Sequence, residues 1–296
     1  MIARTGRLGV AALLAAAVSR ASAQTPPVFR ASVESVYVDV FARRGGQAIS
    51  GLPASSFELK DNGVPQAVEL VAADSRPLRA VLVFDTSSSV VGRRLFALKA
   101  AGEAFLNGLR PADEVALVGF SDEIAWLARP SADKDVVRRA LDRLEPEGAT
   151  AAFDALYAAV ALMEEGGRCL IVLFTDGEDN MSFLDDKQLV TVVERSNALV
   201  HTVVWSGPGE EMEPDQVNAL RRIAAAGGGR FWGAGSPERL RRAFAEIAEA
   251  MSHRYILRYE PQGVEREGWH RIEVKLKGQK GDVEARHGYW ASPRVR

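Results

Sequence analysis

The sequence of 296 residues contains a single cysteine, four histidines and no large excess of charge of either sign. The lone Cys169 excludes a disulfide within the chain and a cysteine-based metal cluster. It stands in the apolar run Cys169–Phe174, so we expect a small buried side chain there. The formal net charge of −2 argues against general nucleic-acid binding, which needs a basic face for phosphates. With 47% apolar and 26% charged residues, the composition is that of a globular protein, neither disordered nor collagen-like.

Signatures of common enzyme classes are also missing. The chain has no Gly-x-Ser-x-Gly elbow, no His-Glu-x-x-His zinc motif and no Walker loop. His201 lies in an apolar run and is expected in the core. The other histidines, His253, His270 and His287, fall near the C-terminus without acidic partners at helical spacing. These absences predict that the protein is not an enzyme.

The first 23 residues have the three parts of a secretory signal peptide. Arg4 and Arg7 precede the apolar stretch 8–18, and the small-x-small sequence Ala21-Ser22-Ala23 ends the segment. A membrane anchor needs about 20 apolar residues, so we expect cleavage after Ala23, with an uncleaved anchor as the alternative. Cleavage also removes Arg20 and leaves 34 basic and 39 acidic residues, a net charge of −5. We therefore predict an exported protein, periplasmic or secreted.

Hydrophobic periodicity divides the remaining chain into three regions. Residues 24–76 alternate as β-strands do, and Asn62-Gly63 predicts a hairpin whose second arm we expect at Ala67–Leu70. Residues 77–252 alternate apolar runs with stretches of helical spacing, the pattern of a parallel sheet covered by helices. In residues 253–296 apolar and polar residues again alternate with a period of two, as in a β-strand with one buried face. The apolar runs are Ala80–Phe84, Val115–Phe120, Cys169–Phe174 and Val200–Trp205.

The two β segments are short. They have 53 and 44 residues, and a chain of this length rarely buries enough apolar surface to fold alone. We therefore expect residues 24–76 and 253–296 to pair into one β-sandwich, with the domain 77–252 inserted between them. The predicted fold class is α/β, an open and mostly parallel sheet flanked by helices.

Oxygen-bearing residues follow two of the buried strands and precede one helix. Asp85, Ser87 and Ser89 follow the first apolar run, Asp176 follows the third, and Thr150 opens an alanine-rich helix. Ligands of open α/β sheets bind beyond the carboxyl ends of the strands, so we expect these side chains to converge at one edge. Their oxygens suit a hard cation, Mg²⁺ or else Mn²⁺ or Ca²⁺. The alternative is that these polar residues bind no ion and that each of the three stretches only caps the helix that follows it.

These residues carry a resemblance to a known family. The pattern Asp85-x-Ser87-x-Ser89, with Thr150 and Asp176, resembles the metal-ion-dependent adhesion site of von Willebrand factor A domains. The resemblance covers about residues 79–252, including the order of elements. Segments of both flanks resemble bacterial VWFA-related domain proteins, namely 36–40, 57–63, 255–259 and 286–290. One departure is Ala149, where many members have glycine before the threonine.

The resemblance implies an adhesion module that binds a protein partner. Ser87 and Ser89 would bind the ion directly, Thr150 would do so in the high-affinity conformation, and Asp85 and Asp176 would act mostly through water. Neutral hydroxyls leave a dication under-neutralised, so an Asp or Glu carboxylate of the partner can complete its shell. We expect no bound nucleic acid and no membrane span in the mature chain.

Two other functions fit part of this pattern. An aspartate ending a buried strand also begins the haloacid-dehalogenase-like phosphatases, so a metal-dependent phosphoesterase using Asp85 is the enzymatic alternative. Those enzymes need a second aspartate two residues on, where this chain has Ser87. The third possibility is an envelope module whose site only stabilises the fold. Glu178 and Asp179 lie beyond Asp176; we interpret them as solvated loop acids, with tuning of the site's charge as the alternative.

Overall fold

The computed structural model describes residues 35–72, 77–163, 168–177, 179–207 and 212–291. The predicted signal peptide, residues 1–23, lies outside these ranges. The described residues belong to one compact unit. None of the helices among them is both long and apolar enough to cross a membrane.

Strands and helices follow the three regions of the sequence. The strands are β1 (Val36–Arg44), β2 (Gln47–Ala48), β3 (Phe57–Asp61), β4 (Val64–Gln66), β5 (Glu69–Val71), β6 (Leu78–Asp85), β7 (Glu114–Phe120), β8 (Ile124–Ser131), β9 (Arg168–Thr175), β10 (Ala198–Trp205), β11 (Phe231–Ala234), β12 (Tyr255–Tyr259), β13 (Gly268–Leu276), β14 (Asp282–Glu284) and β15 (Gly288–Ala291). The helices are α1 (Arg93–Asn107), α2 (Lys134–Asp142), α3 (Ala152–Leu162), α4 (Asp186–Arg195), α5 (Pro214–Ala226) and α6 (Pro237–Ser252).

A six-stranded sheet forms the centre of the α/β part, in the order β11-β10-β9-β6-β7-β8. Neighbouring strands are parallel except β8, which runs antiparallel to β7 at the edge. The four apolar runs form β6, β7, β9 and β10, which are almost entirely buried. Such runs are needed because helices cover both faces of these strands. The sequence did not predict β8, since most of its residues are exposed or half-buried and it has no continuous apolar run.

The helices form two layers, one on each face of this sheet. α1, α2 and α6 pack in one apolar cluster around Phe84, Phe105 and Phe244. The ring of Phe244 meets Phe84 and Phe105 edge to face, with centroids 5.6 and 6.4 Å apart. α3, α4 and α5 cover the opposite face in a second cluster. Cys169 is buried in this second cluster, as predicted, and burial raises the pKa of its thiol to about 12.

Strands of the two β segments pair with each other across the length of the chain. β1 lies between β12 and β14, and β12 also pairs with β5. In a second sheet, β13 lies between β3 and β15, with β4 beside β3. Both sheets bury side chains in one apolar cluster that includes Val38, Leu59, Leu257 and Ile272. Each segment therefore contributes strands to both sheets.

The hairpin turn at Asn62-Gly63 forms, but its second arm differs from the prediction. Asn62 and Gly63 have φ angles of 46° and 82°, the positive values that a tight hairpin turn requires. The arm returning along β3 is β4, whereas β5 pairs with β12 in the other sheet. The prediction that Ala67–Leu70 forms the second arm of this hairpin was therefore wrong. A two-residue turn places the partner strand directly after Gly63, and an alternating pattern does not identify its own partner.

Candidate functional site

The candidate site lies where β6 and β9 end. Asp85 is the last residue of β6, and Asp176 directly follows Thr175, the last residue of β9. The two strands are parallel neighbours, with Phe84 opposite Phe174. Both carboxylates therefore lie at the same edge of the sheet, where open α/β folds bind ligands.

Asp85 is fully buried and uses both carboxylate oxygens as acceptors. Oδ1 accepts a hydrogen bond from the backbone N–H of Ser87 at 2.9 Å, and Oδ2 accepts from Oγ1 of Thr175 at 2.7 Å. Burial raises the pKa of Asp85 to about 6; the hydrogen bonds from Ser87 and Thr175 oppose this shift, and the charge of Asp176 adds to it. A cation bound nearby would favour the charged form of Asp85.

Hydrogen bonds connect the two serines of the motif to the second carboxylate. The Oγ atoms of Ser87 and Ser89 are 3.0 Å apart, and Oγ of Ser89 donates to Oδ1 of Asp176 at 2.6 Å. Ser87 is 2% exposed, whereas Ser89 lies at the surface. The network therefore runs from a buried strand end to solvent.

Thr150 approaches this network from the loop before α3. Gly148 in this loop has a φ of 80°, and a Cβ there would lie 1.9 Å from Oδ1 of Asp122. Glycine is therefore required by both the backbone angle and the available space. The backbone N–H of Ser88 donates to the carbonyl of Gly148 at 3.0 Å, which ties this loop to the serine loop.

The hydroxyls of Ser89 and Thr150 border the same space. A Cβ built on Gly177 would lie 3.8 Å from Oγ of Ser89 and 3.9 Å from Oγ1 of Thr150. Because Gly177 has no side chain, this space stays open between the two hydroxyls. The structure thus brings the predicted residues to one edge of the sheet: Asp85, Ser87, Ser89, Thr150 and Asp176.

Asn180, which the sequence analysis missed, and Asp179 hold the Thr150 loop and the start of α3 in position. Asn180 accepts from the backbone N–H of Thr150 at 3.1 Å through Oδ1, and its own N–H donates to the carbonyl of Thr150 at 3.0 Å. Asp179 accepts from the N–H of Phe153 in the first turn of α3 at 2.8 Å. The interpretation of Asp179 as a solvated loop acid was therefore wrong, and Glu178, interpreted in the same way, lies outside the described residues. Its carboxylate caps a helix whose own N-cap residue, Ala151, makes no side-chain cap hydrogen bond.

Arg94 is a further residue of the site that the sequence analysis did not identify. Its Nη1 donates to Oδ2 of Asp176 at 2.7 Å and to the carbonyl of Ser89 at 3.0 Å. The Asp176 side chain is fully covered, while that of Arg94 is 21% exposed. The position of Arg94, in the first turn of the helix that follows the serine loop, was the available signal. A fixed positive charge therefore lies beside the predicted ligands.

The donor set fits a hard dication. Within the part of the chain that the structure describes, no group of three or more His, Cys, Asp or Glu residues is arranged to hold a metal ion. An ion at this edge would therefore take hydroxyl oxygens as well as carboxylates, which is the chemistry that Mg²⁺ accepts. The buried Asp85 offers it negative charge at the end of β6. Oδ2 of Asp176 is already bound by Arg94, so an ion would share that carboxylate with a guanidinium.

Comparisons with known proteins find similarity in the part of the chain that contains these residues. Residues 80–178, which contain all five predicted site residues, match the family model of the von Willebrand factor type A domain. A UPF0353 protein of Mycolicibacterium paratuberculosis is 22% identical over 220 residues, covering 65% of this chain and 64% of that protein. A UPF0353 protein of Mycobacterium tuberculosis is 21% identical over 220 residues, which again cover 65% of this chain and 64% of that protein. The chain therefore spans about 64% of the length of these curated relatives.

Solved structures show the same fold at low sequence identity. The von Willebrand factor type A structure from Catenulispora acidiphila has a TM-score of 0.53 and 15% identity, covering 84% of this chain and 76% of that one. The vWF domain of the type V pili tip protein Mfa5 from Porphyromonas gingivalis has a TM-score of 0.51 and 16% identity, covering 60% and 95%. Residues 80–178 of this chain thus match the von Willebrand factor type A domain in sequence, and the α/β part as a whole shares the fold of these solved structures.

Proposed function

We propose that this protein is an exported, non-enzymatic adhesion module that presents a divalent cation to a carboxylate of a protein partner. The observation that carries the proposal is the hydrogen-bonded series from Ser87 through Ser89 to Asp176, bordered by the hydroxyl of Thr150. In this proposal Ser87, Ser89 and Thr150 are ligands of Mg²⁺, or of Mn²⁺ or Ca²⁺, and Asp85 and Asp176 act mostly through water. The bound ion supplies an electrophilic centre for the partner's carboxylate.

The charges at the site support an anionic partner group. Asp85 and Asp176 contribute two negative charges, and Arg94 contributes one positive charge beside Asp176. A dication would bring these groups to a net charge of about +1. One carboxylate from a partner would then neutralise the site, whereas a neutral or basic partner group would not.

In this proposal the two β segments form a supporting domain that carries the adhesion domain. We propose that residues 24–76 and 253–296 form a β-sandwich into which the domain 77–252 is inserted. The pairing of Val71 with Ile256 supports this arrangement, because the chain leaves the β segments and returns to them at neighbouring positions. Export follows from the predicted signal peptide 1–23. The likeness to the vWF domain of Mfa5, a pili tip protein, supports a location outside the cell.

Partner capture with and without chelator tests the proposed function. An envelope extract of the source organism is passed over the immobilised protein, and we expect the captured partner to be lost in EDTA and restored by Mg²⁺ or Mn²⁺. Asp85→Ala and Thr150→Ala should abolish capture while circular dichroism shows a folded protein. The matched control is Thr191→Ala, an exposed threonine on α4. Capture that persists in EDTA contradicts the proposal.

Replacement of Arg94 should strengthen ion binding. In Arg94→Gln the guanidinium no longer repels a dication or occupies Oδ2 of Asp176, so we expect the Kd for Mg²⁺ to fall by roughly tenfold. Isothermal titration calorimetry at constant ionic strength measures this change. Arg93→Gln is the matched control, because Arg93 is exposed and precedes Arg94 on the same helix. Unchanged or weaker binding in Arg94→Gln would show that Arg94 does not compete with the ion.

A further inference from the structure

A second concave site lies apart from the predicted ligands, between the α/β part and the β segments. This cleft has a volume of about 520 Å³ and is lined by residues of β1, β10, β11, α6 and β14. None of its lining residues belongs to the candidate metal site. A volume of this size suits a small molecule, since ligand pockets usually measure about 300–1,000 Å³.

Arg254, directly before β12, is a buried positive charge in the wall of this cleft. It is 4% exposed, and its Nη2 donates only to the carbonyls of Asp39 and Glu284, both at 3.4 Å. Among the described residues no carboxylate forms an ion pair with it, and its Nε has no hydrogen-bond partner. A guanidinium keeps its proton in proteins, and a buried charge is normally paired.

The acidic groups near Arg254 are already engaged with other cations. Glu284 lies 3.1 Å from Nη2 of Arg43 and 3.6 Å from Nε of Arg230. Asp39 accepts from Nη2 of Arg168 at 2.9 Å. Glu246 and Glu249 of α6 also line the cleft, but they are exposed to solvent. Asp39 and Glu284 attract the charge of Arg254, but neither carboxylate forms an ion pair with it among the described residues.

His201 also lines this cleft and is 2% exposed. Its Nδ1 accepts from the backbone N–H of Arg230 at 3.0 Å and from Nε1 of Trp232 at 3.2 Å. A nitrogen that accepts carries no proton, so the proton of the neutral ring is on Nε2. Burial lowers the pKa of His201 to about 3, and the nearby charge of Arg254 acts in the same direction, which keeps the ring neutral. Nε2 is buried without a hydrogen-bond partner in the described structure.

We propose that this cleft binds a small oxyanion, a carboxylate or a phosphate, with Arg254 as its counter-charge and Nε2–H of His201 as a hydrogen-bond donor. Both unsatisfied groups are donors, so they select a ligand that offers acceptor oxygens. Water would accept these hydrogen bonds but would leave the buried charge of Arg254 unpaired. An oxyanion satisfies the donors and the charge together.

Thermal unfolding with two oxyanion probes tests this proposal. The full protein is melted in sodium phosphate or sodium succinate at about 20 mM, against sodium chloride of equal ionic strength, with EDTA present so that no ion at the other site binds the probe. We expect at least one probe to raise Tm by about 2–4 °C. Arg254→Met should abolish this rise. Arg258→Gln should keep it, because Arg258 lies on β12 but pairs with Glu69 and Glu260 outside the cleft.

The wild-type measurement decides the outcome even if Arg254→Met fails to fold. No rise in Tm with either probe would mean that the cleft holds only water, and would overturn the proposal. An equal rise in Arg254→Met would overturn it as well, since binding would then occur elsewhere. If the methionine variant does not fold, Arg254→Lys replaces it, and we expect the rise to shrink because the ammonium group cannot place its donors where Nε lies. An undiminished rise in Arg254→Lys counts against the proposal.

Discussion

Replacing Asp61 by alanine should lower the free energy of unfolding by about 3–5 kcal/mol, the cost of breaking a buried charged network. Asp61 is fully buried at the end of β3. Its Oδ2 accepts from the hydroxyls of Tyr259 at 2.9 Å and Tyr289 at 3.0 Å, and its Oδ1 lies 2.8 Å from Nδ1 of His270. Burial raises the pKa of both tyrosines, so they remain donors. Asp61→Ala would leave the buried Tyr259 and His270 and the half-buried Tyr289 without this acceptor.

Urea denaturation followed by circular dichroism measures this loss. The matched control is Asp282→Ala, because Asp282 is an exposed acid on β14 of the same β segments and should change stability by less than about 0.5 kcal/mol. A loss below about 1 kcal/mol in Asp61→Ala would show that the network is not coupled as its geometry indicates. The result bears on the architecture, since Asp61 comes from the N-terminal segment and its three partners come from the C-terminal one.

Saturating Mg²⁺ should stabilise the protein by about 2.7 kcal/mol when its concentration is 100 times its Kd. The double variant Ser87→Ala, Ser89→Ala should lose this increment, because the proposed ligands would be methyl groups. Melting in Mg²⁺ and in EDTA measures the difference. Ser88→Ala is the matched control, since Ser88 is exposed and lies between the two serines in the same loop.

Equal melting in EDTA and in Mg²⁺ would argue against an occupied metal site. If Mg²⁺ stabilises the protein but no partner is captured, the result would favour a site that only stabilises the fold over a site for adhesion. Loss of the increment in Ser88→Ala as well would assign the effect to the loop in general and not to the two ligands. The stability and capture experiments therefore separate ion binding from partner binding.

The position of each site aspartate was predictable, whereas its hydrogen-bond partners were not. Asp85 and Asp176 each end or follow an apolar run, and runs of this kind form neighbouring parallel strands. The hydrogen bonds of Thr175 to Asp85 and of Arg94 to Asp176 join residues that are 90 and 82 positions apart. Nothing in a local pattern marks such a pair, because its geometry depends on how two loops approach each other.

In the β segments, too, a local turn was predictable from the sequence, whereas the pairing of distant residues was not. The turn at Asn62-Gly63 was evident, because both positions need positive φ angles that these residue types tolerate. The sequence did not reveal which strand pairs with β5, because the backbone of a strand offers the same hydrogen-bonding groups to any neighbouring strand. His270 looked isolated in the sequence, yet it contacts Asp61 across 209 positions.

By itself, the sequence determined where the buried strands run and which oxygen-bearing side chains follow them, because hydrophobic periodicity and strand-end position are local properties. Only the tertiary structure decided which charged and polar groups face one another. Arg94 lies beside Asp176, three donors surround Asp61, and Arg254 forms no ion pair with any carboxylate of the described residues. Coulomb energy and hydrogen bonding depend on distances of a few ångströms between distant parts of the chain, and folding alone sets those distances.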